Sequence, residues 1–133
     1  MPIHVDDTRH PLVVVTFEGD VTDAEFVRYL AEMESRVLVR RRLSATVFDA
    51  TKAGATSARQ RRMQAEWMEK NEEALARYSA GSAFVITSPL VRGTLTAILW
   101  LKPLPVPHVV VGTFAEAEQW CRDRLRARGV EAA

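Results

Sequence analysis

After the first two, each β-branched run in this chain is separated from the next by a stretch of helical period, and that alternation is the strongest constraint on its fold. Antiparallel neighbours are joined by a tight turn. A strand followed by a helix before the next strand pairs with it in parallel, through a right-handed crossover. His4-Val5-Asp6 and residues 12–17 flank the turn Thr8-Arg9-His10-Pro11 and read as an antiparallel hairpin at one edge. Residues 44–49, 83–87 and 109–111 read as three further strands. The pattern predicts an α/β fold with a mixed, mostly parallel sheet of four to five strands packed with four helices. A chain of 133 residues buries one core and hardly more, so a single domain over residues 1–133 is expected.

Helix starts are marked by a hydroxyl residue followed three positions later by one that can reach back to it. Thr22 with Glu25, Ser57 with Gln60, and Thr113 with Glu116 fit this capping pattern. Ser88 before Pro89 gives another start, because proline at the first helical position lacks an N–H that has no partner there anyway. The first helix carries Phe26, Val27, Leu30, Met33, Val37 and Leu38 on its buried face. It ends on Arg40-Arg41-Arg42, whose charge complements the helix dipole. The second is expected to run to about Tyr78, with Met63, Trp67, Ala74, Leu75 and Tyr78 as its stripe and Gly81 as its stop. The third ends near Leu101, before Pro103, Pro105 and Pro107, and the fourth near Arg128-Gly129.

Eighteen basic residues against seventeen acidic ones leave a net charge of +1, which argues against a chain-wide electrostatic grip on nucleic acid or anionic membrane. The lone Cys121 excludes an internal disulfide and any multi-cysteine metal site; beside Trp120, it reads as a packed thiol. The first residues lack the basic start and long apolar stretch of a secretory signal, so a cytoplasmic location is expected. No apolar run approaches the roughly 20 residues of a membrane span. His4, His10 and His108 lie on different segments in no metal-ligand pattern. The first two are expected to face solvent and the third to enter a strand. The six glycines are scattered and form no phosphate loop; Gly19, Gly54, Gly81, Gly112 and Gly129 fall at element ends. The expectation is a non-enzymatic protein without cofactor or metal.

Two regions stand out as candidate sites. Asp49 closes a parallel strand and leads through a small-residue loop to a helix start bearing Arg59, Arg61 and Arg62. Open α/β sheets place their ligand or partner sites at such strand ends. Cations in a first turn oppose the helix dipole at a cost of about 0.3–1 kcal/mol each, which suggests an anionic counterpart. That counterpart is a phosphate, an acidic protein surface or acidic side chains of the chain itself. The plainer alternative is a solvated basic face, with Glu66 supporting Arg62 and Asp49 capping loop N–H groups. No aromatic residue is interleaved with the arginines, so nucleic-acid binding is not expected. In the second region, residues 90–106, Leu90, Val91, Leu95, Ile98, Leu99, Trp100 and Leu101 cover more than one helical face. The surplus meets a second copy of the chain, further cover from the chain itself, or a lipid-like ligand. Trp67, Leu95, Leu99 and Trp100 are the candidate dimer or ligand contacts, with Asn71, in the helical row of Trp67, as a polar break that marks a pocket lining.

Val13-Val14-Val15-Thr16-Phe17-Glu18-Gly19 with its following helix, Ala45-Thr46-Val47-Phe48-Asp49, and Ala83-Phe84-Val85-Ile86 resemble the STAS-like superfamily, especially its SpoIIAA-like branch. The resemblance spans nearly the whole chain. It implies a mixed sheet of four or five strands with packed helices, and a mostly non-enzymatic role: anti-sigma-factor antagonists that dock on a kinase-like partner, regulatory modules of larger proteins, or lipid- or nucleotide-sensing domains. In the antagonists a phosphorylatable serine sits in an Asp-Ser-Ser-Gly-type turn that opens a helix. The matching stretch here, residues 49–57, runs into Thr56-Ser57-Ala58-Arg59 and lacks the serine-glycine pair. Ser57 therefore reads as a cap, with modification of Thr56 or Ser57 as the alternative. The resulting expectation is a regulatory or protein-interaction module that docks a protein partner through Asp49, Thr56, Ser57, Arg59 and Arg62. The alternative is a binder of a small apolar or acyl, lipid-like ligand in a cavity between the Trp67 and Trp100 helices.

Overall fold

The computed structural model describes residues 2–130. The elements follow in the order β1 (Ile3–Asp6), β2 (Leu12–Gly19), α1 (Asp23–Glu32), β3 (Ser44–Ala53), α2 (Ala58–Lys70), α3 (Glu72–Tyr78), β4 (Ser79–Val85), α4 (Pro89–Leu101), β5 (His108–Val111) and α5 (Phe114–Ala127). The five strands lie side by side in chain order, β1 antiparallel to β2 and the rest parallel. The mixed, mostly parallel sheet is the one the alternation of runs and helices predicts. Strand alternation divides the core in two. Leu12, Ala45, Val47, Ala83 and Val85 pack on one face with Ala117, Cys121 and Leu125 of α5. Val13 and Val15 pack on the other with Phe26, Tyr29 and Leu30 of α1, while Ala50 and Ile86 meet Val91 of α4.

Four local expectations change. The first helix does not run straight to the arginines: after Glu32 it widens into a π turn (Met33–Val37) and tightens into a 3₁₀ turn (Leu38–Arg40), burying both Val37 and Leu38. Tyr29 takes the inward position, and Val27 is 55% exposed. The second helix breaks at Asn71, whose amide donates to Trp67 O at 3.0 Å and to Glu34 Oε1 at 3.2 Å. Local bonding of that kind competes with the helical backbone, so five α-helices stand among the described residues where four were expected. Gly81 is no helix stop but lies inside β4, where a Cβ would stand 2.7 Å from Trp120 Cη2 of α5. The third strand continues past Asp49 to Ala53, so Asp49 pairs within the sheet with Thr16 and Val85 rather than ending it.

The β1–β2 turn is clamped from two sides. Asp7 accepts hydrogen bonds from Arg36 Nη2 at 2.8 Å and Arg40 Nη2 at 2.7 Å, and Arg9 Nη2 donates to Glu118 of α5 at 2.6 Å. Burial alone would raise the Asp7 pKa, but the Arg36 bond and the charges of Arg36 and Arg40 hold it below its ordinary 3.8. The Arg9 bond chiefly lowers Glu118 below 4.5. His10, expected to face solvent, is half-buried, and its Nε2 has no partner among the described residues; His4 is exposed. Burial, reinforced by Arg40 and Arg42, pushes His10 below 6.5. At acid pH the unfolded chain then binds protons that the folded chain refuses. Stability is therefore expected to fall in two stages: first as pH drops below 6.5, through His10, and again below 4.5 and 3.8, through Glu118 and Asp7. Thermal melts across pH check this, and His10→Gln should remove the upper stage; an unchanged upper stage contradicts it. Asp7→Asn should cost about 1 kcal/mol at neutral pH, a charge-assisted pair discounted for its half-exposed arginines.

Candidate functional site

The sheet face opposite α5 is incompletely filled, leaving a cavity of about 160 Å³ between the strands and the helices above them. Its floor is Phe17, Phe48, Ala50, Phe84 and Ile86. The three phenylalanines form a ladder across β2, β3 and β4, with centroid separations of 6.4 Å for Phe17 to Phe48 and 5.0 Å for Phe48 to Phe84. Phe26, Tyr29 and Met33 of α1, Trp67 and Met68 of α2, and Leu95, Ile98 and Leu99 of α4 supply the walls. Toward the carboxyl ends of β2 and β3 the cavity is bounded by Gly19, Gly54, Ala55 and Thr56; toward the amino ends of β3 and β4, by Ser44, Thr46, Ser79 and Ser82. Among the described residues, no Asp, Glu, Lys, Arg, His or Cys lines it. Burial raises the Tyr29 pKa and keeps the phenol protonated. The Trp67 indole Nε1–H is buried without a partner among the described residues.

The loop at the Gly54 end is held by short backbone contacts. Gly54 N donates to Gly19 O at 3.0 Å, and Ala55 N donates to the Asp20 carboxylate at 2.9 Å. The Thr56 and Thr94 hydroxyls lie 3.3 Å apart and tie this loop to α4. Ser57 Oγ accepts from Gln60 N at 3.0 Å, an N-cap that satisfies an otherwise unpaired helix N–H. Gln60 does not complete the reciprocal bond. Its amide crosses to Val21 O at 2.7 Å and Asp23 at 3.1 Å, fixing the start of α2 to the start of α1.

The two predicted residue sets are thus redistributed. Trp67, Leu95 and Leu99 converge on the cavity, whereas Trp100 is 86% exposed and Asn71 lines a separate surface groove with Glu34, Lys70 and Arg77. One α4 face, with Val91, Leu95 and Ile98, turns inward; Leu90, Trp100 and Leu101 remain outside. Of the partner set, Thr56 is at the mouth of the cavity, and Ser57, Arg59 and Arg62 are exposed on the loop and first turn of α2. Arg59 reaches Asp23 at 3.7 Å, one of the acidic counterparts within the chain that the sequence allowed. Asp49 stands apart: it lies between Phe48 and Ala50 in the strand, so its side chain takes the face away from the cavity, and it accepts from Thr51 N and Oγ1 at 3.1 and 2.8 Å. Cys121 is fully buried, its thiol 3.5 Å from Thr46 O and its pKa pushed up to about 12, chiefly by burial. The phenylalanine ladder and the Ser44, Thr46, Ser79 and Ser82 hydroxyls carry the site without having been singled out in the sequence. The signal for Ser44 and Thr46 was their two-residue spacing from Phe48; Ser79 was concealed by the extended helix reading. Among the described residues, no group of three or more His, Cys, Asp and Glu is placed to hold a metal ion, and no helix is long and apolar enough to cross a membrane.

No protein-family model matches the chain, and no curated protein matches it. Among solved structures it is similar to an uncharacterized protein from the DUF3478 family with a SpoIIAA-like fold, from Shewanella loihica PV-4. The TM-score is 0.60 at 15% identity, over 90% of this chain and 91% of that one. The fold is SpoIIAA-like.

Proposed function

We propose that this chain, as one domain over residues 1–133, is a non-catalytic regulatory module that binds a small, largely apolar molecule in the cavity and presents the adjoining loop to a protein partner. The observation that carries the binding reading is an apolar cavity whose lining holds no carboxylate, imidazole, thiol, amine or guanidinium among the described residues. Such a lining supports uptake and offers no acid or base suited to turnover near neutral pH. The partner reading is supported by Thr56, which borders the cavity while Ser57, Arg59 and Arg62 face outward beside it, so an occupant that shifts this loop also shifts the arginine surface. Ser57, already a cap, serves this reading as structure rather than as a modification site. The outward Leu90, Trp100 and Leu101 replace Leu95 and Leu99 as the proposed contact in a homodimer.

Native mass spectrometry of gently purified protein is expected to show the chain plus a small mass, which Ile98→Trp, by filling the cavity, should abolish; a bare wild-type spectrum counts against binding. Charge reversal at Arg59 and Arg62 should abolish partner capture without lowering the melting temperature. Unchanged capture removes these arginines from the surface. Trp100→Glu should turn a dimer into a monomer by light scattering, and a monomeric wild type dismisses the α4 contact.

A further inference from the structure

Resting on the cavity-binding reading, we infer that the occupant is an uncharged amphiphile about one aromatic ring in size, with its hydroxyl or equivalent neutral polar group set among Ser44, Thr46, Ser79 and Ser82. Size comes from the volume: about 160 Å³ is close to that of an apolar cavity of about 150 Å³ known to take up benzene. Neutrality comes from the lining. An ionised group entering this space loses its hydration and meets no counter-charge from the described residues, so it binds poorly or must first be neutralised.

The position of the polar group comes from the sheet register. Ser44 pairs with Ser79 and Thr46 with Ser82 across β3 and β4. The irregularity between Ser44 and Ala45 lets Ser79 and Ser82, three residues apart, share the cavity face. The four residues are 2%, 5%, 7% and 6% exposed and line the cavity, and their hydroxyls are not among the side-chain atoms sealed from solvent without a partner, so they open on the cavity. A hydroxyl that opens on an apolar cavity finds its hydrogen-bond partner there or goes without one, which favours an occupant that brings a polar group to this end. Hydroxyls both donate and accept, so a neutral hydroxyl on the occupant can pair with them in either direction. The Phe17, Phe48 and Phe84 ladder takes the apolar body.

Calorimetric titration with p-cresol, toluene and p-toluate, which share one ring and differ in the polar group, tests this. The expected result is saturable p-cresol binding, tighter than toluene and at least about tenfold tighter than p-toluate. Thr46→Val with Ser82→Ala should weaken p-cresol several-fold and leave toluene unchanged, the toluene arm also reporting that the variant is folded. Anion binding as tight as p-cresol, or a double variant that leaves p-cresol unaffected, overturns the inference. Toluene bound as tightly as p-cresol overturns it while leaving the cavity reading intact; failure of both to bind overturns the cavity reading itself.

Discussion

Truncating Leu125 to alanine is expected to cost about 2–5 kcal/mol, toward the upper end of that range. Leu125 is fully buried in α5, in a core cluster that includes the small residues Ala45, Ala80, Ala83, Ala117 and Cys121 beside Leu12, Val47 and Val85. Small residues let the helix approach the strands closely, but they have few torsions with which to fill a void, so the space left by three lost heavy atoms at most partly closes. Urea titration should show a lower midpoint at unchanged slope. Because the cavity lies on the opposite sheet face, p-cresol binding below the unfolding transition should persist. A loss under about 1 kcal/mol would show that α5 does not seal this face tightly.

Gly54→Ala is expected to cost about 1–3 kcal/mol and to weaken ligand binding as well. A Cβ at this position would lie 2.7 Å from the Gly19 carbonyl carbon and 2.8 Å from Asp20 N, both backbone atoms. Relief requires the β2–α1 and β3–α2 loops to part, which breaks the Gly54 N to Gly19 O bond and moves the Gly54 edge of the cavity. Gly93, in α4, provides the contrast. A Cβ there meets nothing within 4 Å, so Gly93→Ala should stabilise by about 0.5–1 kcal/mol through helix propensity alone. Chemical denaturation of both variants reads the difference, and a Gly54→Ala protein of wild-type stability contradicts the close approach of the two loops.

The parallel order of the strands was legible because each run after the hairpin is followed by a capped helix, and Thr22, Ser57, Ser88 and Thr113 all serve as caps. What failed depended on contacts between distant residues. Asn71 reads as one polar position in an apolar stripe until Glu34, from another helix, competes for its amide. Gly81 reads as a helix stop because nothing local announces that Trp120 will press against it. The site was half legible for the same reason. Helical spacing put Trp67, Leu95 and Leu99 together, but which α4 face turns inward is decided by the sheet, and Trp100 went the other way. Asp49 was misplaced by ending its strand four residues early.

The proposed binding site for a neutral small molecule is the space between the sheet and the helices α1, α2 and α4. An NMR titration with p-cresol locates it most directly. Saturable shifts are expected at Thr46, Ser82, Leu95 and Ile98, with Leu125 and the outward Leu90 and Trp100 unmoved. Shifts centred on Trp100, or a spectrum unchanged at high p-cresol concentration, would contradict it.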